Sequence, residues 1–393
     1  MPRHLAAEAA LPDPGAEARA HSARVRDAVL DAIASRGGFL PLRDYIELVL
    51  YAPGLGYYAA GARKLGADGD FVTAPEMTPL FGATLATTVA GILATTPSRE
   101  IVELGAGSGR LAIDLLRALD ATGAAPAHYA IVETSPELRE RQRQAVERVL
   151  PAWRDRVSWR DALPARIDGA IVMNEVLDAI PPHVVARRDG RWHERGVTLD
   201  RGGAFTLADR ALDDARLAAA ARERFPPGID YASEINLAAE ALVEDLGRRL
   251  AGGALVAIDY GFPRREYYHP DRHEGTLMAH YRHRATPDPF IWPGLADVTA
   301  HVDFTAIAEA AARAGLGVAG YASQAAFLIG GGILARLAAT GDPASGAYLR
   351  AAAAVQTLLS PAEMGELVKV IALERGVAIH WTAFATGDAS HKL

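Results

Sequence analysis

The feature that most constrains the fold is a short apolar run leading into a loop with glycine at every second position. Residues 101–111 read I-V-E-L-G-A-G-S-G-R-L, and an apolar stripe typical of an amphipathic helix follows. This order of strand, tight turn and helix is the unit that binds nucleotide-like ligands at the carboxyl edge of a parallel sheet. Glycine suits such a loop because a Cβ would keep the ligand from the backbone, or because other residues resist the φ angles that the loop requires.

The glycine spacing discriminates between nucleotide cofactors. It is G-x-G-x-G, whereas the dinucleotide fingerprint G-x-G-x-x-G would require glycine where this chain has Arg110. A P-loop would require Gly-Lys-Ser/Thr, which this segment lacks. The spacing therefore favours S-adenosylmethionine over NAD or ATP.

Further predicted strands each lead into a polar residue. The second ends at Glu133, whose carboxylate could accept hydrogen bonds from both ribose hydroxyls of an adenosine. Asp161 follows the third strand and could accept the adenine amino group, Asn174 ends the fourth and Asp259 ends the fifth. Because parallel strands end at one edge of a sheet, we expect a ligand site at that edge.

Composition excludes several classes of function. The chain has 393 residues, half of them apolar, and a formal net charge of −7, which argues against a general nucleic-acid binder. The absence of cysteine excludes disulfides, cysteine nucleophiles and thiolate zinc sites. No apolar run is long enough to span a membrane, and the first 20 residues lack an apolar signal core, so we expect a cytoplasmic protein.

The order of apolar and polar segments divides the chain into a sheet core and additions to it. The alternating pattern of residues 183–207 predicts hairpins, and residues 231–250 are predicted to form one helix. Residues 262–297, rich in Pro, His and Tyr, are predicted to form a long irregular excursion. We predict a disordered tail over 1–21, an N-terminal helical and loop segment over 22–98, a core over 99–180 and 246–380, and an inserted cap or substrate region over 181–245 and 262–300.

Several segments occur in the same order as in one known group of proteins. The chain resembles the complex I assembly factor 7 type of methyltransferases and their bacterial relatives over about residues 40 to 375. It departs from them at Ala106–Gly109, where that group usually has Pro-Gly-Arg-Gly, but the glycine spacing is kept. The matching segments are Tyr57-Tyr58, Gly69–Glu76, Phe81-Gly82, Glu103–Gly109, Val132–Pro136, Asn174–Pro181, Asp259–Gly261 and Pro293–Phe304.

The resemblance implies an α/β fold of the class I methyltransferase type, Rossmann-like, with a mostly parallel seven-stranded sheet. It implies S-adenosyl-L-methionine as cofactor and, from the mitochondrial members, arginine of a protein partner, such as a respiratory-complex subunit, as acceptor. Together with the strand ends, it predicts a set of cofactor-binding residues. They are Thr73, Glu76, Glu103, Gly105, Ala106, Gly107, Gly109, Glu133, Asp161, Ala162 and Asn174.

An arginine acceptor would set a requirement on the site. The guanidinium is cationic, with a pKa above roughly 12, so two carboxylates in bidentate contact could hold it and localise its charge. Glu175, just past the fourth strand, is the best candidate for one of them, and Asp178 and Glu234 are candidates for the second. His183 could act as a general base if the acceptor is not arginine.

The chain also contains a group of histidines within residues 269–301. His280 and His283 have the H-x-x-H spacing that some zinc sites use, but no cysteine supports such a site and we predict no metal.

Three functional hypotheses remain open at this stage. The first is a methyltransferase that modifies a protein arginine, and the second is a non-catalytic assembly chaperone that keeps the fold. The third is a small-molecule methyltransferase, for which a deep and narrow pocket would be expected.

Overall fold

The computed structural model describes residues 11–59 and 73–393. Its helices are α1 (Ala16–Ser35), α2 (Leu42–Tyr51), α3 (Ala74–Met77), α4 (Pro79–Thr95), α5 (Arg110–Ala121), α6 (Pro136–Val149), α7 (Ala215–Arg224), α8 (Leu237–Arg249), α9 (Arg264–Tyr267), α10 (Phe304–Arg313), α11 (Gln324–Gly330), α12 (Ile333–Ala338) and α13 (Gly346–Leu359). Its strands are β1 (Leu40–Pro41), β2 (Glu100–Leu104), β3 (His128–Val132), β4 (Val157–Arg160), β5 (Ile167–Asn174), β6 (His183–Arg188), β7 (Arg191–Leu199), β8 (Phe205–Ala211), β9 (Tyr231–Ile235), β10 (Leu250–Phe262), β11 (Met278–Tyr281), β12 (Arg284–Thr286), β13 (Asp297–Thr299), β14 (Val302–Asp303), β15 (Gly317–Ser323) and β16 (Val368–Arg375).

The described residues form two compact units. The described part of the larger unit lies within residues 73–180, 236–269 and 301–393, and its sheet has the order β15-β16-β10-β5-β2-β3-β4, with the short β14 beside β10. Strands β4, β3, β2, β5 and β10 are parallel, and β16 is antiparallel to both of its neighbours. The predicted mostly parallel, seven-stranded Rossmann-like sheet is confirmed.

The topology of this sheet places a ligand site at a defined point. From β2 the chain proceeds outward through β3 and β4, and it then returns to β5 on the other side of β2. In open α/β sheets, ligands bind outside the carboxyl ends of the strands where the strand order reverses in this way. The glycine loop that follows β2 lies at this point.

Helices cover both faces of the sheet, which explains why its central strands are almost continuously apolar. On one face, Ala170 and Val172 of β5 belong to a core cluster that contains buried residues of α4 and α5. On the other face, Ile171 and Met173 belong to a cluster with buried residues of α8 and α10. Alternate residues of one strand therefore anchor two layers of helices.

The described part of the smaller unit lies within residues 11–59, 181–235 and 270–300. It has an antiparallel sheet of order β1-β7-β6-β9, with β8 paired to β7, and a second sheet of order β12-β11-β13. Its core includes Val25 and Val29 of α1 and Tyr45 and Ile46 of α2, all fully buried. The predicted hairpins of residues 183–207 are confirmed as β6, β7 and β8.

Some predicted boundaries were wrong. Helix α1 begins at Ala16, so the predicted disordered tail over residues 1–21 includes the first turns of a helix, while residues 1–10 lie outside the described part. The single helix predicted over residues 231–250 is strand β9 followed by α8. The excursion predicted as irregular contains α9, β11 and β12, and β13 begins at its end. Helix α4, predicted in an N-terminal segment, belongs to the larger unit.

Among the described residues, we find no helix that combines the length and the apolar character needed to cross a membrane.

Candidate active site

The glycine loop joins β2 to α5 at the carboxyl edge of the sheet. Gly105, Gly107 and Gly109 have φ angles of 64°, 55° and 82°, in the left-handed region that other residues resist. Gly109 is the N-cap of α5, so the loop leads directly into the helix terminus where backbone N–H groups lack intrahelical partners. The conformational reason for three glycines at this spacing is therefore observed, and Ala106 between them is buried.

Gln142 of α6 connects this loop to the neighbouring strand ends. Its side chain is fully buried, and Nε2 donates hydrogen bonds to the backbone carbonyl of Gly107 at 2.9 Å and to Glu133 Oε2 at 3.3 Å. Its Oε1 accepts from Trp159 Nε1 of β4 at 3.0 Å. Sequence reasoning missed this residue, although a signal existed, because Gln142 lies one helical turn before the buried Val146 and therefore faces inward.

Glu133 follows β3 directly and is 8 % exposed. Its Oε1 accepts a hydrogen bond from the backbone N–H of Ser135 at 2.9 Å. Burial raises the pKa of the Glu133 carboxyl above its ordinary value, and the hydrogen bonds from Ser135 and Gln142 oppose that shift. A carboxylate held in place at this strand end fits the predicted ribose-binding role.

Asp161 and Ala162 follow β4, and both are exposed. The backbone N–H of Glu133 donates to the carbonyl of Arg160 at 2.9 Å, so the ends of β3 and β4 lie side by side. Their contact with the adenine stays a prediction.

Helix α3 brings a second carboxylate to the glycine loop. Ser108 Oγ donates a hydrogen bond to Glu76 Oε1, and the backbone N–H of Glu76 donates to the carbonyl of Thr73, the N-cap of α3, at 3.0 Å. Gly69–Val72, the first half of the matching front segment, lies outside the described residues. The structure thus brings Glu76, one of the predicted cofactor residues, to the loop through Ser108.

Glu103 lies inside the sheet, since only 2 % of it is exposed. Its Oε2 accepts a hydrogen bond from Tyr129 Oη of the neighbouring strand at 2.7 Å. Burial raises the pKa of the Glu103 carboxyl to about 7, and the hydrogen bond from Tyr129 acts against that rise. The carboxylate predicted to contact the cofactor is thus engaged within the core.

The end of β5 carries Asn174 and Glu175. Glu175 has a φ of 53°, an uncommon conformation for a residue with a side chain, and its backbone N–H donates to the carbonyl of Ile258 at 2.8 Å. Asn174 Nδ2 donates to Glu175 Oε1 at 3.1 Å, whereas Asn174 Oδ1 is buried and finds no hydrogen-bond partner within the described chain. Strained and unsatisfied groups of this kind concentrate at functional sites.

Asp259 of β10 organises the turn that follows β5. Its Oδ2 accepts hydrogen bonds from the backbone N–H groups of Val176 at 3.1 Å and Leu177 at 2.8 Å, and its Oδ1 accepts from Tyr260 N at 2.9 Å. Burial raises the pKa of the Asp259 carboxyl to about 7, although these backbone donors favour its charged form. Sequence reasoning placed this residue at a strand end and missed its role in the turn.

The same turn connects the acidic residues to the glycine loop. A Cβ built on Gly105 would lie 3.0 Å from Val176 Cγ2, so the turn after β5 packs against the loop after β2. Asp178, further along this turn, is 9 % exposed. Burial first, and then the charges of Glu175 and Asp178, raise the pKa of the Tyr260 hydroxyl well above its usual value. Both carboxylates therefore act on Tyr260 electrostatically.

The other two predicted catalytic residues belong to the smaller unit. Glu234 lies in β9, is 2 % exposed, and accepts hydrogen bonds at Oε1 from the backbone N–H groups of Thr276 at 2.8 Å and Leu277 at 2.9 Å. His183 begins β6, and its Nδ1 lies 3.3 Å from Glu194 Oε1. The carboxylate of Glu234 is thus engaged in holding the turn before β11.

The histidines of the predicted excursion do not converge. His280 is partly buried in β11, and His283 is exposed in the turn that follows it. Among the described residues, no group of three or more His, Asp or Glu side chains is arranged to hold a metal ion.

Comparisons with known proteins give matches over most of the chain. A family model described as "Putative S-adenosyl-L-methionine-dependent methyltransferase" matches residues 82–322. The mouse protein named protein arginine methyltransferase NDUFAF7, mitochondrial, is 29% identical over 371 residues, which are 86% of this chain and 81% of the mouse protein. The Drosophila melanogaster homolog of that name is 28% identical over 384 residues, covering 86% and 82% of the two chains.

A solved structure shows the same fold. The crystal structure of a Burkholderia thailandensis protein bound to S-adenosyl-homocysteine has 50% sequence identity and a TM-score of 0.93, covering 98% of this chain and all of that one. The family match spans more than half of the chain and includes the glycine loop, Glu133 and the turn after β5. The chain therefore belongs to this family of S-adenosyl-L-methionine-dependent methyltransferases.

Proposed function

We propose that this methyltransferase acts on an arginine side chain of a protein partner. The relatives in mouse and fly are named protein arginine methyltransferases, at 29% and 28% identity over most of their lengths. From the family resemblance we further propose that the partner is a subunit of a respiratory complex, met in the cytoplasm.

Two features of the larger unit support the proposal, one for each half of the reaction. When bound, S-adenosylmethionine supplies a methyl group that the positively charged sulfur already activates. The glycine loop carries no side chain at three alternate positions, and the buried Glu133 lies at the next strand end, where it can accept hydrogen bonds from ribose hydroxyls. Alignment of acceptor and methyl group then supplies much of the rate.

One observation carries the choice of arginine: the turn after β5, which carries Glu175 and Asp178, is hydrogen-bonded to the Asp259 carboxylate and packs against the glycine loop. Two carboxylates can pair with the edge of a guanidinium and leave one nitrogen directed at the methyl donor. Asp178 is the better second carboxylate, because it lies in the same turn as Glu175, whereas Glu234 belongs to β9 and accepts hydrogen bonds from the turn at residues 276–277. His183 would matter for an acceptor other than arginine.

The test is transfer of labelled methyl groups from S-adenosylmethionine to proteins in an extract of cells that lack this enzyme. Acid hydrolysis and chromatography of the labelled proteins should yield methylarginines, and Glu175→Gln should reduce the yield at least about a hundredfold, as expected when a charged contact to the reacting group is lost. A matched control is Glu137→Gln, an exposed change on α6. Label in methyllysine or in small molecules alone would refute the proposal. The proposal would also be refuted if the wild-type enzyme transferred no label and the Glu175→Gln variant still supported assembly of the partner. That combination is the result expected of a non-catalytic chaperone.

A further inference from the structure

Two side chains of opposite charge are attached to the glycine loop through Ser108. Glu76 belongs to α3, and its Oε1 accepts a hydrogen bond from Ser108 Oγ. Arg110 is the first residue of α5, and its backbone N–H donates to the same Oγ at 3.2 Å. Both side chains are partly exposed. One hydroxyl of the loop thus joins an acidic residue to a basic one.

The contact with Ser108 leaves the charge of Glu76 available to a ligand. The partner of Oε1 is a neutral hydroxyl, which does not compensate the negative charge. For Oε2, the described part of the chain supplies no hydrogen-bond donor. A positively charged group can therefore bind Glu76 while Ser108 keeps its hydrogen bond.

Arg110 is held in place by one of its five N–H donors. Its Nε donates to Asp114 Oδ2, one turn further along α5, at 2.6 Å. Asp114 is buried, because α4 packs so closely that a Cβ on Gly82 would lie 2.8 Å from Asp114 Cβ. The Nη atoms of Arg110 have no hydrogen-bond acceptor among the described residues, and 38 % of the side chain is exposed. Asp114 thus fixes a guanidinium whose two Nη groups can still bind a carboxylate.

The ion pair leaves part of Asp114 unsatisfied. Its Oδ1 is buried and has no hydrogen-bond partner within the described chain. A pair that served stability alone would be expected to use both carboxylate oxygens, because a buried oxygen without a donor is costly. The single bond to Nε therefore favours a role in which Arg110 is held for a ligand.

The methyl donor carries two opposite charges at one end. S-adenosylmethionine ends in an amino acid whose ammonium and carboxylate share one carbon, so its site needs an anion and a cation close together. We propose that Glu76 binds this ammonium and Arg110 binds this carboxylate, and that Asp114 is a positioning residue for Arg110. The adenosyl half then extends toward Glu133, which Gln142 connects to the loop at Gly107. These roles concern the donor and are independent of the proposed acceptor.

Three ligands separate the two roles in calorimetric titrations. They are S-adenosyl-homocysteine, the analogue that lacks only its carboxylate, and methylthioadenosine, which lacks both charged groups. Arg110→Gln should weaken binding of S-adenosyl-homocysteine about tenfold and change the other two affinities by less than about twofold. Glu76→Gln still accepts from Ser108 but has no charge, so it should weaken the first two ligands about tenfold and methylthioadenosine by less than about twofold.

Two further variants test the role of Asp114. Asp114→Asn should weaken S-adenosyl-homocysteine about threefold without weakening methylthioadenosine, a difference that a merely structural residue would not produce. The matched control is Arg117→Gln, an exposed change on α5, which should bind all three ligands as the wild-type enzyme does.

Affinity for methylthioadenosine shows whether each variant is folded. If Arg110→Gln no longer binds it, because Asp114 is left buried without its partner, the double variant Arg110→Gln with Asp114→Asn decides, and the loss should again be confined to S-adenosyl-homocysteine. An equal loss for all three ligands in a folded variant would overturn the inference. So would an unchanged affinity for S-adenosyl-homocysteine in Arg110→Gln or Glu76→Gln.

Discussion

The carboxylate of Asp259 accepts a hydrogen bond from the backbone N–H of Leu177 over 2.8 Å, which ties the end of β10 to the turn after β5. The same oxygen accepts from Val176. Asp259, for which we propose no contact with substrate, thereby fixes the backbone of the turn that carries Glu175 and Asp178. The geometry of the turn after β5 thus depends on a residue more than 80 positions later in the chain.

Replacing Asp259 with asparagine should disturb this turn. The amide has one acceptor oxygen, so its NH₂ group must face at least one of the backbone N–H donors, and we expect the free energy of unfolding to fall by about 1–3 kcal/mol. Methyl transfer should fall strongly, while S-adenosyl-homocysteine still binds, because the glycine loop and Glu133 are unchanged. Calorimetry and initial rates measure the two effects. Normal activity with normal stability would show that the turn keeps its shape without the carboxylate.

The glycine loop predicts a separation of stability from cofactor binding. Gly107 has a φ of 55° within the loop, and Gly123, just after α5, has a φ of 71° with open space around its Cβ position. Alanine at either position should cost about 1–2 kcal/mol of stability, because both adopt left-handed backbone. Only Gly107→Ala should also weaken S-adenosyl-homocysteine binding, by about tenfold or more, since its methyl group would face the ligand. Equal affinities of the two variants for S-adenosyl-homocysteine would show that the cofactor does not bind at this loop.

Gln142 should act as a positioning residue for the cofactor site. Gln142→Leu removes the hydrogen bonds to Gly107 and Glu133 and leaves buried groups unpaired, so we expect affinity for S-adenosyl-homocysteine to fall about tenfold. Gln144 lies on the same helix, is exposed and donates to Glu140 one turn earlier, which makes Gln144→Leu the matched control. Calorimetric titration of both variants measures the difference. A loss of affinity in both would point to general damage of α6.

Glu133 should contribute directly to binding of the adenosyl group. Glu133→Ala removes a carboxylate that can pair with ribose hydroxyls, and we expect affinity for S-adenosyl-homocysteine to fall about tenfold or more, which corresponds to about one lost charged hydrogen-bond pair. Adenosine alone should lose a similar factor, because the effect is confined to the ribose. If homocysteine binding fell while adenosine binding did not, the carboxylate would belong to the other end of the cofactor site.

The parts of this site that sequence could predict are those determined by neighbours along the chain. Three glycines at alternate positions favour a turn with left-handed backbone. Polar residues that follow apolar strands meet at one edge of the sheet, because parallel strands share their direction. Glu133 and the glycine loop were predictable for these reasons. The contacts of Gln142 were not, since they depend on where α6 lies against β4.

Strand β9 shows a second reason for failure. Residues 231–235 read Y-A-S-E-I, and all five are buried, so the chain has no alternation that would reveal an extended strand. The sequence therefore predicts one helix over residues 231–250, which includes Glu234. Its burial and its hydrogen bonds to residues 276–277 follow from pairing with β6 and from a distant turn.

The buried pair of Glu103 and Tyr129 predicts a pH dependence of stability. The pKa of Glu103 is raised from 4.5 to about 7 in the folded protein, so between these values the folded state holds a proton that the unfolded state has released. The stability that the folded protein gains from this bound proton is fully present below about pH 4.5. It is lost as the pH rises to about 7, and the free energy of unfolding falls by about 3 kcal/mol in all. The variant Glu103→Gln stays neutral at all of these pH values, and its amide oxygen can still accept a hydrogen bond from Tyr129. The melting temperature of this variant should therefore fall less between about pH 5 and pH 7 than that of the wild-type enzyme. Scanning calorimetry at these pH values measures the difference. Glu137→Gln on the exposed surface of α6 should follow the wild-type curve. Parallel curves for Glu103→Gln and the wild-type enzyme would mean that Glu103 is already ionised in the folded protein at pH 5, held by a donor other than Tyr129.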